Sequence, residues 1–377
     1  MKWLEAKMGI YPAYRFCKSG YADYSRIMFV PKYTITDGIV SRLSEIAEIK
    51  AMVERSSLVP AREAFLRRAA VIKMAHTSTS IEGNRLQEYQ VQKLAEGKKV
   101  VAQEDQVREV ENYLVALRRI DEIVNEKSGL SKRDILKIHK VVVGGLVDEE
   151  KTGVFREGPV YILNVLPKGE EELAYTPPPS EKVPELIDDL LLWLGKAGEV
   201  HPVIRAGLFH YQFETIHPFT DGNGRTGRLL TLLHLYQSGW DFKKVLVLED
   251  YYNQNRKNYY RHLQTGDTFN SRKGADLTNW LEYYVEGFLQ EVRKVKDLII
   301  NISVVGEAKG TRNILDNDEL KIVDFVVTMG RVTSSDVVDI LRVPKRTAQF
   351  KLRRLEDINV LRKAGKGPGT YYEVNRK

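Results

Sequence analysis

The chain has 377 residues and carries 58 Lys and Arg against 51 Asp and Glu, a net charge of +7, with a single cysteine. Its length leaves room for two or three domains, and 43% apolar with 29% charged residues is the balance of a soluble globular protein. The lone Cys17 excludes intrachain disulfides and thiolate metal clusters, and no apolar run approaches the ~20 residues that span a bilayer.

Met1-Lys-Trp-Leu-Glu-Ala-Lys lacks the apolar stretch of a secretory signal, so a cytoplasmic protein with no membrane partner is expected. Residues 1–40 read as irregular, with aromatic and β-prone pieces that wrap the body. Helices are expected over 37–52, 60–81, 87–96, 104–126 and 131–142. Gly83 is the stop signal for the second of these. Gly153-Val-Phe-Arg156 followed by Gly158-Pro-Val-Tyr-Ile162 reads as a short hairpin. Pro177-Pro-Pro179 with Ser180 reads as a stop followed by an N-cap. Further helices are expected over 181–197, where Leu186, Leu190 and Trp193 form a buried stripe, and over 201–215, 224–238, 253–264 and 274–303.

Chemistry concentrates in His217-Pro-Phe-Thr-Asp-Gly-Asn-Gly-Arg-Thr-Gly-Arg228. Pro218 pushes His217 out of α geometry to the end of a helix, and an imidazole titrates near neutrality, as a general base should. The glycines of Asp221-Gly222-Asn223-Gly224 permit positive φ and close approach of a phosphate. The loop runs into a helix rich in leucine (Leu229, Leu230, Leu232, Leu233, Leu235), so free N–H groups and the positive dipole end face an anion. Arg225 and Arg228 lie three apart on one face and can fork onto phosphate oxygens. Asp221 can hold a Mg²⁺ that bridges phosphates, since Mg²⁺ takes few protein ligands.

This segment is similar to the signature His-Pro-Phe-x-Asp-Gly-Asn-Gly-Arg-x-x-Arg of the Fic family, with no departure at any position. The resemblance covers roughly residues 30–300. It implies transfer of the AMP moiety of ATP to a Ser, Thr or Tyr hydroxyl of a target protein. His217 would be the base, Asp221 the Mg²⁺ ligand, and Asn223 with the amides of Gly222 and Gly224 a cradle for the α- and β-phosphates. Arg225 would meet the β-phosphate and Arg228 the γ-phosphate, while Phe219 would anchor the loop in the core. The hairpin resembles the family's flap, with Val160, Tyr161 and Ile162 presenting an edge to an extended target segment; an ordinary surface hairpin is the alternative. Tyr251 to Leu263 resembles the lining of the adenosine pocket. Tyr259 and Tyr260 would offer a flat face there, or else belong to the core. Asp267 stands where relatives can carry an adenosine-contacting Asn, which leaves nucleotide preference open.

Ser78-Thr-Ser-Ile-Glu82-Gly83 resembles the family's inhibitory motif. By that resemblance Glu82, at the end of a helix, would pair with Arg228 and deny it to the γ-phosphate. A charge-assisted pair of about 1.5–3 kcal/mol would then suppress activity by roughly one to two orders of magnitude.

Residues 306–312 turn small and polar and read as a linker. Beyond it, helices at 318–328, 333–341 and 345–357 precede a hairpin of 360–364 and 370–374, joined by Gly365-Lys-Gly-Pro-Gly369. This order resembles a winged helix-turn-helix domain, whose third helix can enter a major groove. Residues 311–377 hold 14 Lys and Arg against 9 Asp and Glu, most of the chain's excess positive charge. Lys345, Arg346, Gln349, Arg353, Arg354 and, in the wing, Lys366 are the candidate phosphate contacts; protein binding or packing on the body is the alternative. The expected fold is thus mainly α: a Fic helical bundle with a small β-hairpin flap, plus a C-terminal winged helix. The expected divisions are 1–100 with the inhibitory helix, 101–305 catalytic and 311–377 winged helix. Removal of AMP, or a DNA-binding regulator that modifies only itself, are the other functions weighed. A homodimer is left open, since relatives often regulate through dimer contacts.

Overall fold

Side-chain caps start several helices where the sequence supplies them. Thr36 accepts from the Ile39 amide, and Ser131 with Asp134 and Thr333 with Asp336 each form a capping box. In the protein, described here by a computed structural model, the described residues are 29–375 apart from 57, 59, 126–128, 166–170, 301–314, 330, 366, 368 and 369. Cys17, most of the N-terminal segment, the linker at 306–312 and Lys366 lie outside them.

Five helices come first: α1 (Asp37–Arg55), α2 (Pro60–Ile81), α3 (Glu88–Ala95), α4 (Glu104–Asn125) and α5 (Lys132–Val143). An antiparallel hairpin follows, β1 (Ile162–Val165) with β2 (Glu171–Tyr175), its register shifted by a bulge between Ile162 and Leu163. Then come α6 (Val183–Lys196), α7 (Pro202–Ile216) and α8 (Asn223–Gln237). The body is completed by α9 (Leu248–Gln254), α10 (Arg256–Leu263), α11 (Phe269–Lys273) and α12 (Thr278–Ile300).

Helices α7 and α8 are buried on nearly every face, as their apolar sequences require, and they pack on each other. One hydrophobic core gathers around them from α2, α4, α5 and α6; a second joins α1 and α12 to the other side of α7. The segment before residue 100 therefore contributes to the same cores as the motif helices. Each fully buried leucine of α8 is worth about 1.5–3 kcal/mol of burial, which fixes the base of the loop that precedes it.

The C-terminal elements are α13 (Asn317–Met329), α14 (Ser334–Leu341), α15 (Lys345–Asp357), β3 (Leu361–Ala364) and β4 (Tyr371–Val374). They enclose a separate core of Ile322, Val326, Val337, Leu352, Leu355 and Leu361. Strands β3 and β4 pair antiparallel, and Val332 adds a bridge to Tyr372.

Three expectations need correcting. The hairpin begins at Ile162 rather than ending there, so Gly153–Tyr161 is its approach. Ser180 does not cap a helix: its hydroxyl donates to the Glu157 carbonyl, and α6 starts at Val183 with Pro184 in its first turn. The helix expected over 253–264 breaks at Asn255 (φ −145°, ψ 73°), whose side chain accepts from the Asn258 amide and so begins α10. Among the described residues no helix is long and apolar enough to cross a membrane.

Candidate active site

The loop between α7 and α8 is held open by strained and special backbone. His217 ends α7 in the left-handed region (φ 49°, ψ 63°), which a non-glycine residue adopts at a cost of about 1–3 kcal/mol. Proline at 218 explains why the helix stops; the packing explains why this residue turns left-handed. Arg156 is the clamp: its Nε donates to the His217 carbonyl at 2.9 Å, and its other nitrogens donate to the carbonyls of Gly158 and Pro178. Its own amide donates to the Pro218 carbonyl at 3.0 Å. Tyr175, at the end of β2, donates to the Thr215 carbonyl at 2.6 Å, so the hairpin and the loop after α7 share one foundation.

His217 is half-buried with Nδ1 enclosed, and burial pulls its pKa down to about 4. The backbone of Glu214 opposes that shift, and the nearby Arg156 charge adds to it. At neutral pH the imidazole is therefore uncharged and able to accept a proton.

The loop's turn is set from beneath. Phe219 is fully buried and stacks on the His139 ring, with centroids 3.6 Å apart and planes 2° from parallel. The Gly153 amide donates to His139 Nδ1 at 3.0 Å, so Nε2 carries the proton and donates to the Asp221 carbonyl at 3.0 Å. Burial holds the His139 pKa down at about 4, which keeps this tautomer neutral. Gly222 has φ 75°, and a side chain there would collide with Val143. Asn223 caps the turn from inside: it accepts from the Phe219 amide and donates to the Phe219 carbonyl, both at 2.8 Å. The Asn223 side chain thus braces the loop, with one hydrogen of its amide and its oxygen closing the turn onto Phe219.

The two arginines of the motif each meet a carboxylate. Arg228 Nη2 lies 2.7 Å from Glu82 Oε1, with the arginine side chain 1% and the glutamate side chain 30% exposed. Arg228 Nε also donates to Ser78 Oγ at 2.8 Å, and Nη2 to the Ser78 carbonyl at 3.0 Å. Burial works against the Arg228 charge, but Glu82 together with Tyr259, Tyr113 and Tyr260 outweighs it, so the guanidinium pKa is raised. Gly83 (φ 101°) ends α2 and turns Glu82 toward the loop, where a side chain at Gly224 would collide with it. Arg225 Nη1 lies 2.9 Å from Glu109 Oε1, and its Nη2 donates to Asp221 Oδ1 at 3.3 Å. The Asp221 side chain is 54% exposed.

Ser78, Glu82, Gly83, His217, Asp221, Gly222, Asn223, Gly224, Arg225 and Arg228 thus converge, as the sequence suggested. Two further expectations fare differently. Tyr259 lies in the core, stacked on Tyr252 with its hydroxyl 2.8 Å from His210 Nε2, and has no open face for a base. Tyr260 is 45% exposed. Val160, Tyr161 and Ile162 lie at the approach to the hairpin and its first residue, with Tyr161 exposed alongside Leu163 and Leu173. Sequence reasoning missed His139, Glu109 and the clamping role of Arg156. His139 and Glu109 sit on amphipathic helices where the pattern reads as core or surface, and only tertiary contact gives them work.

Residues 129–235 match the Fic/DOC family. The chain is 32% identical to the protein adenylyltransferase Fic of Culex quinquefasciatus over 56% of this chain and 40% of that protein. It is 32% identical to the protein of the same name from Drosophila virilis over 61% and 46% respectively. The chain thus spans less than half the length of these curated relatives. Among solved structures, a Fic family protein from Desulfovibrio desulfuricans G20 aligns over 93% of this chain and 99% of its own, with TM-score 0.62 and 27% identity. Fic-1 from C. elegans aligns over 68% and 71%, with TM-score 0.57 and 25% identity. The motif loop, its flanking helices and these likenesses agree on a Fic/DOC-like segment at residues 129–235 of this chain.

Proposed function

We propose that the chain is a protein adenylyltransferase that moves AMP from ATP to a Ser, Thr or Tyr hydroxyl of a target protein, and that Glu82 restrains it. The observation that carries this reading is the uncharged His217, clamped at the mouth of a loop whose helix brings in Arg225 and Arg228. His217 takes the proton of the target hydroxyl, and the freed oxygen attacks the α-phosphorus. The bond from that phosphorus to the α–β bridging oxygen breaks, and pyrophosphate leaves with its negative charge met by Arg225 and the α8 amides. Arg228 would hold the γ-phosphate, and Glu82, now on that guanidinium at 2.7 Å, stands where the phosphate would bind.

Magnesium fits the donors present. Among the described residues no cluster of three or more His, Cys, Asp or Glu could cage a metal, and Asp221 offers one half-exposed carboxylate beside the phosphate loop. That is how Mg²⁺ is held when substrate phosphates supply its other ligands, and it would neutralise phosphate charge there.

The open edge of the β1–β2 hairpin, with Tyr161 and Ile162 at its start, would take an extended target segment as an added strand. Tyr260, the exposed member of its pair, would face the adenine. We assign 1–100, 101–305 and 311–377 as the inhibitory, catalytic and winged-helix parts. Duplex DNA is a partner suggested by the last of these: Lys345, Arg346 and Arg353 are exposed on α15 and have no acidic partner among the described residues. Lys351 and Arg354, in contrast, are paired to Asp316, Asp318 and Glu319. A cytoplasmic location belongs to this reading.

The test is mass spectrometry of the Glu82→Gly protein after incubation with ATP and Mg²⁺. A hydroxyl residue carrying AMP, absent when His217 is also changed to Ala, is the expected result; an unmodified protein and unmodified candidate targets would remove the reading.

A further inference from the structure

Arg225 and Arg228 sit on one face of α8, and both are stripped of water; what orients Arg228 is plain, since Glu82 and Ser78 take its nitrogens. Arg225 is oriented from a different helix. Its side chain is 6% exposed and that of Glu109 on α4 13% exposed, with 2.9 Å between Nη1 and Oε1. Asp221, the other acid within reach, is half in solvent and lies a longer 3.3 Å away. Glu109 is thus the enclosed counter-charge of Arg225, and burial raises its pKa while Arg225 and Asn84 pull it back.

Arg225 is held there by charge rather than by an aligned hydrogen bond, whereas the second oxygen of Glu109 is hydrogen-bonded. Oε2 accepts from Asn84 Nδ2 at 2.7 Å, and the same amide nitrogen donates to the Gln106 carbonyl at 2.9 Å. Asn84 Oδ1 accepts from the Leu86 amide at 3.0 Å, and its backbone amide donates to the Thr79 carbonyl, so the side chain is fixed in the turn that ends α2. That turn carries Glu82. A single three-residue corner, Glu82-Gly83-Asn84, therefore touches Arg228 directly and Arg225 through Glu109.

We propose that Glu109 is the positioning residue of the phosphate site: it aims Arg225 at the β-phosphate, and Asn84 couples that aim to the corner that bears Glu82. The inference rests on the nucleotide reading of the loop given above. Its chemistry is selective in a way that a mere packing role is not. Arg225 serves a phosphate that ADP and ATP have and AMP lacks, whereas Glu82 competes only with the γ-phosphate of ATP. A charge lost at Glu109 leaves Arg225 without its enclosed counter-ion and drawn further toward the half-exposed Asp221, which its Nη2 already meets at 3.3 Å, and this spoils the β-phosphate contact alone.

The experiment is calorimetric titration of AMP, ADP and ATP with Mg²⁺ into full-length Glu82→Gly protein and the same protein carrying Glu109→Gln. The glutamine keeps the volume of the side chain and removes its charge, and a thermal melt of both proteins checks the fold. Expected is about a tenfold weakening for ADP and for ATP, the size of one charge-assisted contact, with AMP unchanged. Asn84→Ala should weaken the same two ligands by a smaller factor. Equal weakening of all three ligands would reduce Glu109 to a structural residue and overturn the proposal. Unchanged affinities would overturn it as well, and tighter ADP and ATP binding would make Glu109 a competitor instead. If none of the three nucleotides binds the Glu82→Gly protein, it is the nucleotide reading of the loop that fails, an outcome separate from these.

Discussion

Replacing Glu82 by glycine should release the site, and the size of the effect follows from the contact it removes. Glu82 Oε1 lies 2.7 Å from a guanidinium whose side chain is 1% exposed, while the glutamate is 30% exposed. A hydrogen bond between such charged partners is worth about 1.5–3 kcal/mol, or roughly ten- to a hundredfold in the share of protein able to take a γ-phosphate. The variant also leaves Arg228 enclosed, with the Ser78 hydroxyl and carbonyl as its remaining hydrogen-bond partners among the described residues. Without nucleotide, then, it should melt below the wild type, and ATP should restore it by more than ATP stabilises the wild type. The assay pairs the two readouts: initial rate of AMP incorporation into the protein, and Tm with and without ATP. A rate raised at least tenfold together with the larger ATP-dependent shift is expected. Equal rates and equal shifts would refute the idea that Glu82 and the γ-phosphate compete for one guanidinium.

Acid should unfold the protein through its buried histidines. Burial holds His139 and His217 at about 4 and His210 and His234 at about 3, against about 6.5 in the unfolded chain. The unfolded chain binds more protons between pH 6.5 and 4, so stability is present above 6.5 and lost as pH falls. Glu214 and Glu291, raised to about 7, act in the opposite sense over 4.5–7 and cancel part of the loss. Glu109 and Glu249, also raised by burial, cancel more, and His201, lowered by burial, adds to the loss, so the net is roughly one to two protons, or ~1–3 kcal/mol per pH unit, readable by urea melts at pH 6.5, 5.5 and 5.0; a flat profile would contradict it. Arg156→Lys cannot fork onto three carbonyls and should lower the rate of AMP transfer at least tenfold, while ATP binding by calorimetry changes little. In gel shifts, Lys345, Arg346 and Arg353 changed together to Ala should abolish duplex DNA binding that weakens steeply with salt. An intact chain that binds no duplex at low salt would remove DNA as a partner.

The helices were legible because their ends are chemical. Thr333 announces a start, Gly83 announces a stop, and the leucines of α8 announce burial, whereas the caps at Thr36 and Ser131 show only in the structure. The loop from His217 to Arg228 was legible because its residue types are contiguous, and so was Glu82, whose helix end delivers it to Arg228. What stayed hidden depends on long-range contact. Tyr259 and Tyr260 are neighbours in sequence, yet one faces His210 in the core and the other faces solvent. Asn223 carries its amide inward to Phe219, a choice made by the tightness of the turn and not by its position in the motif. His139 reaches Asp221 across 82 positions, and Glu109 reaches Arg225 from another helix, so no local pattern could name them. The hairpin was displaced because Gly153 and Gly158 mark the approach to a turn, whereas the paired strands need the alternation that begins at Ile162.

The central claim is that His217 directs a hydroxyl to the α-phosphorus of ATP. The most direct measurement incubates the Glu82→Gly protein with Mg²⁺ and ATP labelled either at the α- or at the γ-phosphate, beside the same protein carrying His217→Ala. The account predicts protein-bound label from the α position alone, and none once His217 is replaced. Label from the γ position, or α label that survives loss of His217, would contradict it.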